Sequence, residues 1–212
     1  MIVNEIFHSV QGEGPFIGIP CIFVRLATCN LRCEWCDSKY AYQGKEMSVE
    51  QMFKEIIKYP ASNIVVTGGE PMLQLEGISE LQNHIQEREP NRYTWHIETN
   101  GTIYSEDVRS LFEIVVVSPK FQSIKMEVLN EYAYEDAYFK FVIDDMKDFK
   151  EAEKLVDKLN LEKSQVFMMP QGVTKAAVIE KSKWLIENVC KPFDYKFSPR
   201  LHVMLWGMKR RV

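Results

Sequence analysis

The chain has 212 residues, 46% of them apolar, enough to bury roughly 70% of the surface exposed when unfolded and so to build a sizeable core. Its 30 acidic and 26 basic residues leave a formal charge of −4 without a long block of one sign, which argues against an electrostatic grip on nucleic acid and for a small molecule or a protein partner. No apolar run approaches the ~20 residues of a membrane span, and residues 1–5 lack a basic then apolar leader, so the expected setting is cytoplasmic with no membrane partner.

Without repeats, low-complexity tracts or Pro/Gly/Ser linkers, residues 1–212 are expected to form a single domain. In chain order, short runs rich in β-branched and aromatic residues predict strands at Cys21–Leu26, Asn63–Thr67, Tyr93–Glu98, Ile114–Ser118, Phe139–Ile143 and Gln165–Met169. Between them, Ser48 and Gln51 have capping-box spacing ahead of Met52, Phe53, Ile56 and Ile57, and Ile78, Leu81 and Ile85 recur at helical intervals. Phe149, Ala152, Leu155, Val156 and Leu159 predict a third helix, and a fourth is expected from Ala176 to Val189. Alternation of strand and helix implies an α/β fold with a parallel sheet and outer helices, either open or curled into a full or partial barrel. Ligands gather at the carboxyl ends of such strands.

The motifs fall at those ends. Cys29, Cys33 and Cys36 follow the first predicted strand, and five cysteines cannot all pair within one chain. Structural zinc takes four ligands, and neither Cys21 nor Cys190 stands in a second cysteine pair that would complete a zinc ribbon; both read as buried small hydrophobes. Three ligands leave one coordination position free, which on an iron-sulfur cluster is an iron open to a cofactor or substrate. Thr67-Gly68-Gly69-Glu70-Pro71 ends the next strand. There two glycines allow close approach to the backbone, and Glu70 is suited to pair with an ammonium group. His96 and Glu98 alternate on the third strand before Thr99-Asn100-Gly101-Thr102, and an unpartnered Glu98 would be costly, so the interior is expected to be polar at that level. Ser118-Pro119-Lys120 closes the fourth. Arg25 lies in an otherwise apolar strand and needs a fixed carboxylate, from the protein or from a substrate.

The C-x3-C-x2-C spacing resembles the signature of the radical S-adenosylmethionine superfamily. Together, Ser9-Val10-Gln11-Gly12-Glu13-Gly14, Arg25, the cysteine loop, Cys36-Asp37-Ser38, the Gly-Gly-Glu, Glu98–Thr102 and Ser118–Lys120 motifs, and Arg200–Gly207 resemble the 7-carboxy-7-deazaguanine synthase family over essentially the whole chain. The resemblance implies a partial (βα) barrel and a four-iron four-sulfur (4Fe-4S) cluster on Cys29, Cys33 and Cys36 that reductively cleaves S-adenosylmethionine to a 5′-deoxyadenosyl radical. It also implies conversion of 6-carboxy-5,6,7,8-tetrahydropterin to 7-carboxy-7-deazaguanine with loss of ammonia. Ser38, where the family usually has threonine, is implied as a Mg²⁺ ligand. Val10, Gln11, Gly12, Glu13, Arg25, Thr67, His202 and the carboxylate of Val212 are implied at the pterin. Trp35, Cys36, Asp37, Gly69, Glu70, Glu98, Asn100, Ser118, Pro119, Lys120 and Gln171 are implied at S-adenosylmethionine. A homodimer and an electron donor such as flavodoxin or ferredoxin complete the implied set. Two rivals share some of the signals: an activating enzyme that makes a glycyl radical on a partner protein, and a zinc-binding interaction module without catalysis.

Overall fold

The structure is a computed structural model that describes all residues 1–212. Nine strands form one sheet in the order β3-β1-β2-β4-β5-β6-β7-β8-β9. They are β1 (Ile2–Val10), β2 (Pro20–Leu26), β3 (Lys45–Glu46), β4 (Asn63–Gly68), β5 (Thr94–Thr99), β6 (Ile114–Val117), β7 (Tyr138–Ile143), β8 (Val166–Pro170) and β9 (Lys196–Phe197). From β2 to β9 every pairing is parallel, while β1 runs antiparallel to both β2 and β3. The first and last strands of the order, β3 and β9, do not pair with each other, so the sheet is open. A partial barrel accounts for it, and the fully closed alternative is excluded.

The helices are α1 (Val49–Ile56), α2 (Leu75–Arg88), α3 (Val108–Leu111), α4 (Met126–Tyr134), α5 (Met146–Lys158), α6 (Lys175–Leu185), α7 (Lys191–Phe193) and α8 (Leu201–Trp206). The capping box forms as expected: Gln51 N donates to Ser48 Oγ at 3.2 Å and Ser48 N to Gln51 Oε1 at 2.8 Å. The fourth predicted helix is α6, prolonged by a π-helical stretch, Ile186–Cys190.

Period-two alternation along the strands divides the interior. Ile22, Val24, Leu26, Ile64, Val66, Ile97, Val115, Val117, Phe139, Phe141, Val166 and Met168 pack with Met52, Ile56, Ile78, Leu81, Ile85, Leu129, Phe149, Leu155 and Leu185 from the helices in one apolar core. The intervening positions, Phe23, Arg25, Thr67, Glu98, Lys140, Val142 and Met169, line a cavity on the opposite face. One register thus supplies stability and the other supplies chemistry. Met168 is core, whereas Met169 belongs to the cavity wall.

Candidate active site

One cavity of about 270 Å³ at the carboxyl ends of the strands brings together most of the expected site residues. Val10, Gln11, Gly12, Glu13, Arg25, Cys29, Cys33, Trp35, Cys36, Asp37, Ser38, Thr67, Gly69, Glu98, Asn100, Ser118, Lys120, His202 and Val212 all line it. Three do not. Glu70 and Pro119 are buried behind the wall. Gln171 lies in an adjoining cleft that shares Trp35 and Val142 with the main cavity.

Cys29, Cys33 and Cys36 are free and partly exposed, and no other cysteine reaches this cavity. Cys21 and Cys190 are buried, as expected, with Cys21 near the opposite end of β2 from the cysteine loop. The donor set therefore fits a cluster held by three thiolates with one iron left open. No three His, Cys, Asp or Glu side chains converge as ligands of a single ion. A cluster meets each cysteine at a different iron and so requires no such convergence.

Hydrogen bonds tie the cysteine loop to the end of β5. Asn100 Nδ2 donates to Asn30 Oδ1 at 3.0 Å, Asn30 Nδ2 to Thr102 Oγ1 at 2.8 Å, and Thr102 Oγ1 to Asn100 Oδ1 at 2.6 Å. Lys120 Nζ donates at 2.7 Å to both the carbonyl and the hydroxyl of Ser118 and lies 5.6 Å from the Trp35 ring centroid.

The Gly-Gly-Glu motif works differently from the expectation. A Cβ on Gly68 would stand 2.1 Å from Leu26 O, and one on Gly69 would stand 1.6 Å from Thr28 O. Both glycines thus serve contact between two protein backbones, that of β4 and that leading into the cysteine loop. The Glu70 side chain turns away from the cavity and is fully buried. Its carboxylate accepts from Thr99 Oγ1 and Asn100 N at 2.7 Å each and from Met72 N at 3.1 Å. Glu70 is therefore corrected from an ammonium partner in the cavity to a brace between the ends of β4 and β5, because it is buried behind the cavity wall with three of its roughly four acceptor sites taken inside the protein.

Glu98 also sits differently. It accepts from Gln11 Nε2 and Thr67 Oγ1 at 3.1 Å each, which places it among the residues expected at the pterin rather than beside the cysteines. Gln11 Oε1 accepts from Gly12 N and Glu13 N, so this amide shapes the turn after β1. Glu13 accepts from Lys140 Nζ at 2.6 Å and Arg200 Nε at 3.1 Å, with His202 Nε2 at 3.8 Å. Burial alone would push the Glu13 carboxyl up, but Lys140, Arg200 and His202 outweigh it and hold the group well below the usual carboxylate range. Arg200 also pairs with Asp37, whose other oxygen accepts from Ser38 Oγ at 2.9 Å. Ser38 and Asp37 thus present hard oxygen donors side by side, a combination that suits Mg²⁺.

The partner that Arg25 needs inside the protein is Glu5 on β1, at 3.1 Å. Its side chain is almost wholly buried and also accepts from Arg210 at 2.8 Å and Arg211 at 3.1 Å. Those contacts draw the chain end, including Val212, over the cavity. Sequence reasoning missed Glu5 and Lys140. The signal for Lys140 was present, a lysine between Phe139 and Phe141 in an apolar strand, the same anomaly that singled out Arg25.

The model of the radical SAM superfamily matches residues 24–178, which includes the cysteine loop and every strand from β4 to β8. The chain is 35% identical to the 7-carboxy-7-deazaguanine synthase of Hyperthermus butylicus over 96% of its own length and 92% of that protein. It is 33% identical to the enzyme of the same name from Pyrobaculum aerophilum over 98% and 96%. The crystal structure of QueE from Escherichia coli superposes with a TM-score of 0.70 at 25% identity, covering 93% of this chain and 92% of that one. Streptococcus suis SuiB, at 8% identity and a TM-score of 0.57, shares the fold alone. With three cavity thiols, an open parallel sheet and near full-length matches in agreement, the chain belongs to the radical SAM superfamily and, within it, to the 7-carboxy-7-deazaguanine synthase family.

Proposed function

We propose that this chain converts 6-carboxy-5,6,7,8-tetrahydropterin to 7-carboxy-7-deazaguanine with loss of ammonia, a lyase reaction on the route to queuosine and related 7-deazapurines. The observation that carries the reading is a single cavity with three thiols and no fourth at one side and the Gln11–Glu13–Arg25–Glu98 group at the other. When bound on Cys29, Cys33 and Cys36, a 4Fe-4S cluster supplies the electron that cleaves S-adenosylmethionine to an organic radical.

The chain's own residues bind, orient and exclude water. Gly69, Asn100, Ser118 and Lys120 stand on the cysteine side and are assigned to S-adenosylmethionine, together with Trp35 and the backbone of Cys36 and Asp37. Arg25 answers the substrate carboxylate with its terminal guanidinium nitrogens, since its Nε is given to Glu5. Val10, Gln11, Gly12, Glu13, Thr67 and His202 form the opposite wall, and the chain end at Val212 covers the mouth. Ser38 and Asp37 would hold Mg²⁺, whose charge favours anionic substrate oxygen. A flavodoxin or ferredoxin as reductant, a homodimer, a single domain and a cytoplasmic location complete the proposal. No helix is long and apolar enough to cross a membrane.

The test is anaerobic reconstitution with iron and sulfide, then assay with S-adenosylmethionine, reductant and the carboxypterin, with and without Mg²⁺. Ammonia and 7-carboxy-7-deazaguanine should form in equal amounts, faster with Mg²⁺. Formation of 5′-deoxyadenosine with the carboxypterin left intact would refute the substrate assignment.

A further inference from the structure

Lys140 projects from the middle of β7 into the cavity, flanked by the core residues Phe139 and Phe141. Its side chain is 5% exposed, and its Nζ lies 2.6 Å from Glu13 Oε2 and 3.9 Å from Glu98 Oε1. It is the cation between two carboxylates that come from different elements, the turn after β1 and the strand β5. Burial of an unpartnered ammonium is costly, and so is burial of two carboxylates facing one cavity without a cation between them.

We propose that Lys140 is a positioning residue that holds Glu13 and Glu98 together as two acceptor-only carboxylates on the cavity wall, facing N–H donors of the substrate. The inference rests on the proposed pterin, whose amino group and ring N–H edge supply such donors. An ionised carboxylate only accepts, whereas a protonated one presents a donor of its own against those N–H groups. Lys140 therefore determines which face the wall offers.

The charges around the pair set the consequence of losing Lys140. Glu13 keeps Arg200, with His202 and Lys120 nearby, if Lys140 is removed. Arg200 is itself shared with Asp37. Glu98 has only Lys140 as a cation, with the neutral donors Gln11 and Thr67, and with His96 on its own strand and Cys21 on β2 as titratable neighbours. Burial favours neutral His96 and a protonated Cys21, so neither replaces the lost charge. Without Lys140, two carboxylates face one cavity with no cation between them, an arrangement that favours uptake of a proton by the pair.

The test compares wild type, Lys140→Met and Lys140→Arg. In wild type, kcat/KM for the carboxypterin should show no carboxyl limb between about pH 6 and 8. In K140M it should fall about tenfold as pH drops across that range, expressed mainly in KM, because the acceptor face is lost on protonation. K140R, which keeps the charge, should restore the wild-type profile. A profile in K140M parallel to wild type would overturn the proposal. A second measurement needs no turnover: crystal structures should show the Glu13 and Glu98 carboxylates bridged by residue 140 in wild type and in K140R, and drawn apart in K140M. Carboxylates in the wild-type arrangement in K140M would also overturn the role of Lys140. Absence of carboxypterin turnover by wild type would instead refute the proposed function, leaving those structures to decide the Lys140 question separately.

Discussion

Gly69→Ala tests how the sheet sets the cysteine loop. The new Cβ would stand 1.6 Å from Thr28 O and 2.3 Å from Thr28 C, backbone atoms that no side-chain rotation can clear. Opening that contact from 1.6 to at least 3.0 Å moves the strand-to-loop backbone by about 1.4 Å, immediately before Cys29. The hydrogen bonds Gly69 N to Leu26 O at 3.1 Å and Glu70 N to Thr28 O at 2.8 Å fasten the same junction. Overpacking of this kind costs about 1–3 kcal/mol and each of the two strained hydrogen bonds about 1 more, so a loss of about 3–5 kcal/mol is expected from a total of roughly 5–15. Cluster ligation suffers more than stability, since metal-ligand distances tolerate about 0.2 Å. Gly77→Ala is the control: its Cβ meets only the flexible Met1 side chain, and alanine favours α2, so stability should stay within about 1 kcal/mol. The assay is the urea midpoint of cluster-free protein together with iron and sulfide per chain after anaerobic reconstitution. A G69A protein with the wild-type midpoint and full iron content would refute the reasoning.

Other expectations follow from the charged groups. Arg25→Ala should lower kcat/KM for the carboxypterin by one to two orders of magnitude, the worth of a charged hydrogen bond of about 1.5–3 kcal/mol, while iron content is unchanged; wild-type turnover would remove Arg25 from the substrate. Glu5→Ala leaves Arg25, Arg210 and Arg211 without their shared buried carboxylate and should cost about 3 kcal/mol and expose residues 208–212 to carboxypeptidase; unchanged digestion would contradict the tethering role. Because Glu13 is held below its ordinary value of 4.5, its contribution to stability is present above that pH and is lost as pH falls below it. Urea midpoints measured from neutral to acid pH should show a shallower loss in Glu13→Gln than in wild type, and identical slopes would argue against the ion pairs.

Much of the scaffold was legible because the parallel strands are buried on both faces and read as unbroken β-branched runs. Asn63–Gly68 and Ile114–Val117 differ from their expected bounds by one residue. β1 was missed because Asn4, Glu5, His8 and Ser9 interrupt its apolar pattern, and two of the three guanidinia that make a buried Glu5 tolerable, those of Arg210 and Arg211, lie about 205 positions away in sequence. α4 carries no side-chain cap at Lys125, so nothing local marks its start. At the site, the cysteine spacing and the anomaly of Arg25 could be read from residue type, whereas Ser38 was singled out only through the family resemblance. The inward turn of Glu70 could not, since it depends on Thr99 and Asn100 arriving from the neighbouring strand. Nor could the glycine contacts, because the same Gly-Gly serves a ligand or a second backbone equally well.

The central claim is that the cluster on Cys29, Cys33 and Cys36 keeps one iron open to the amino acid end of S-adenosylmethionine. The most direct measurement is electron paramagnetic resonance of the reduced, reconstituted protein, before and after S-adenosylmethionine labelled with ¹⁵N at its amino group is added. The account predicts a changed cluster spectrum with hyperfine coupling to that nitrogen. A spectrum indifferent to the cofactor, from protein carrying a full cluster, would contradict it.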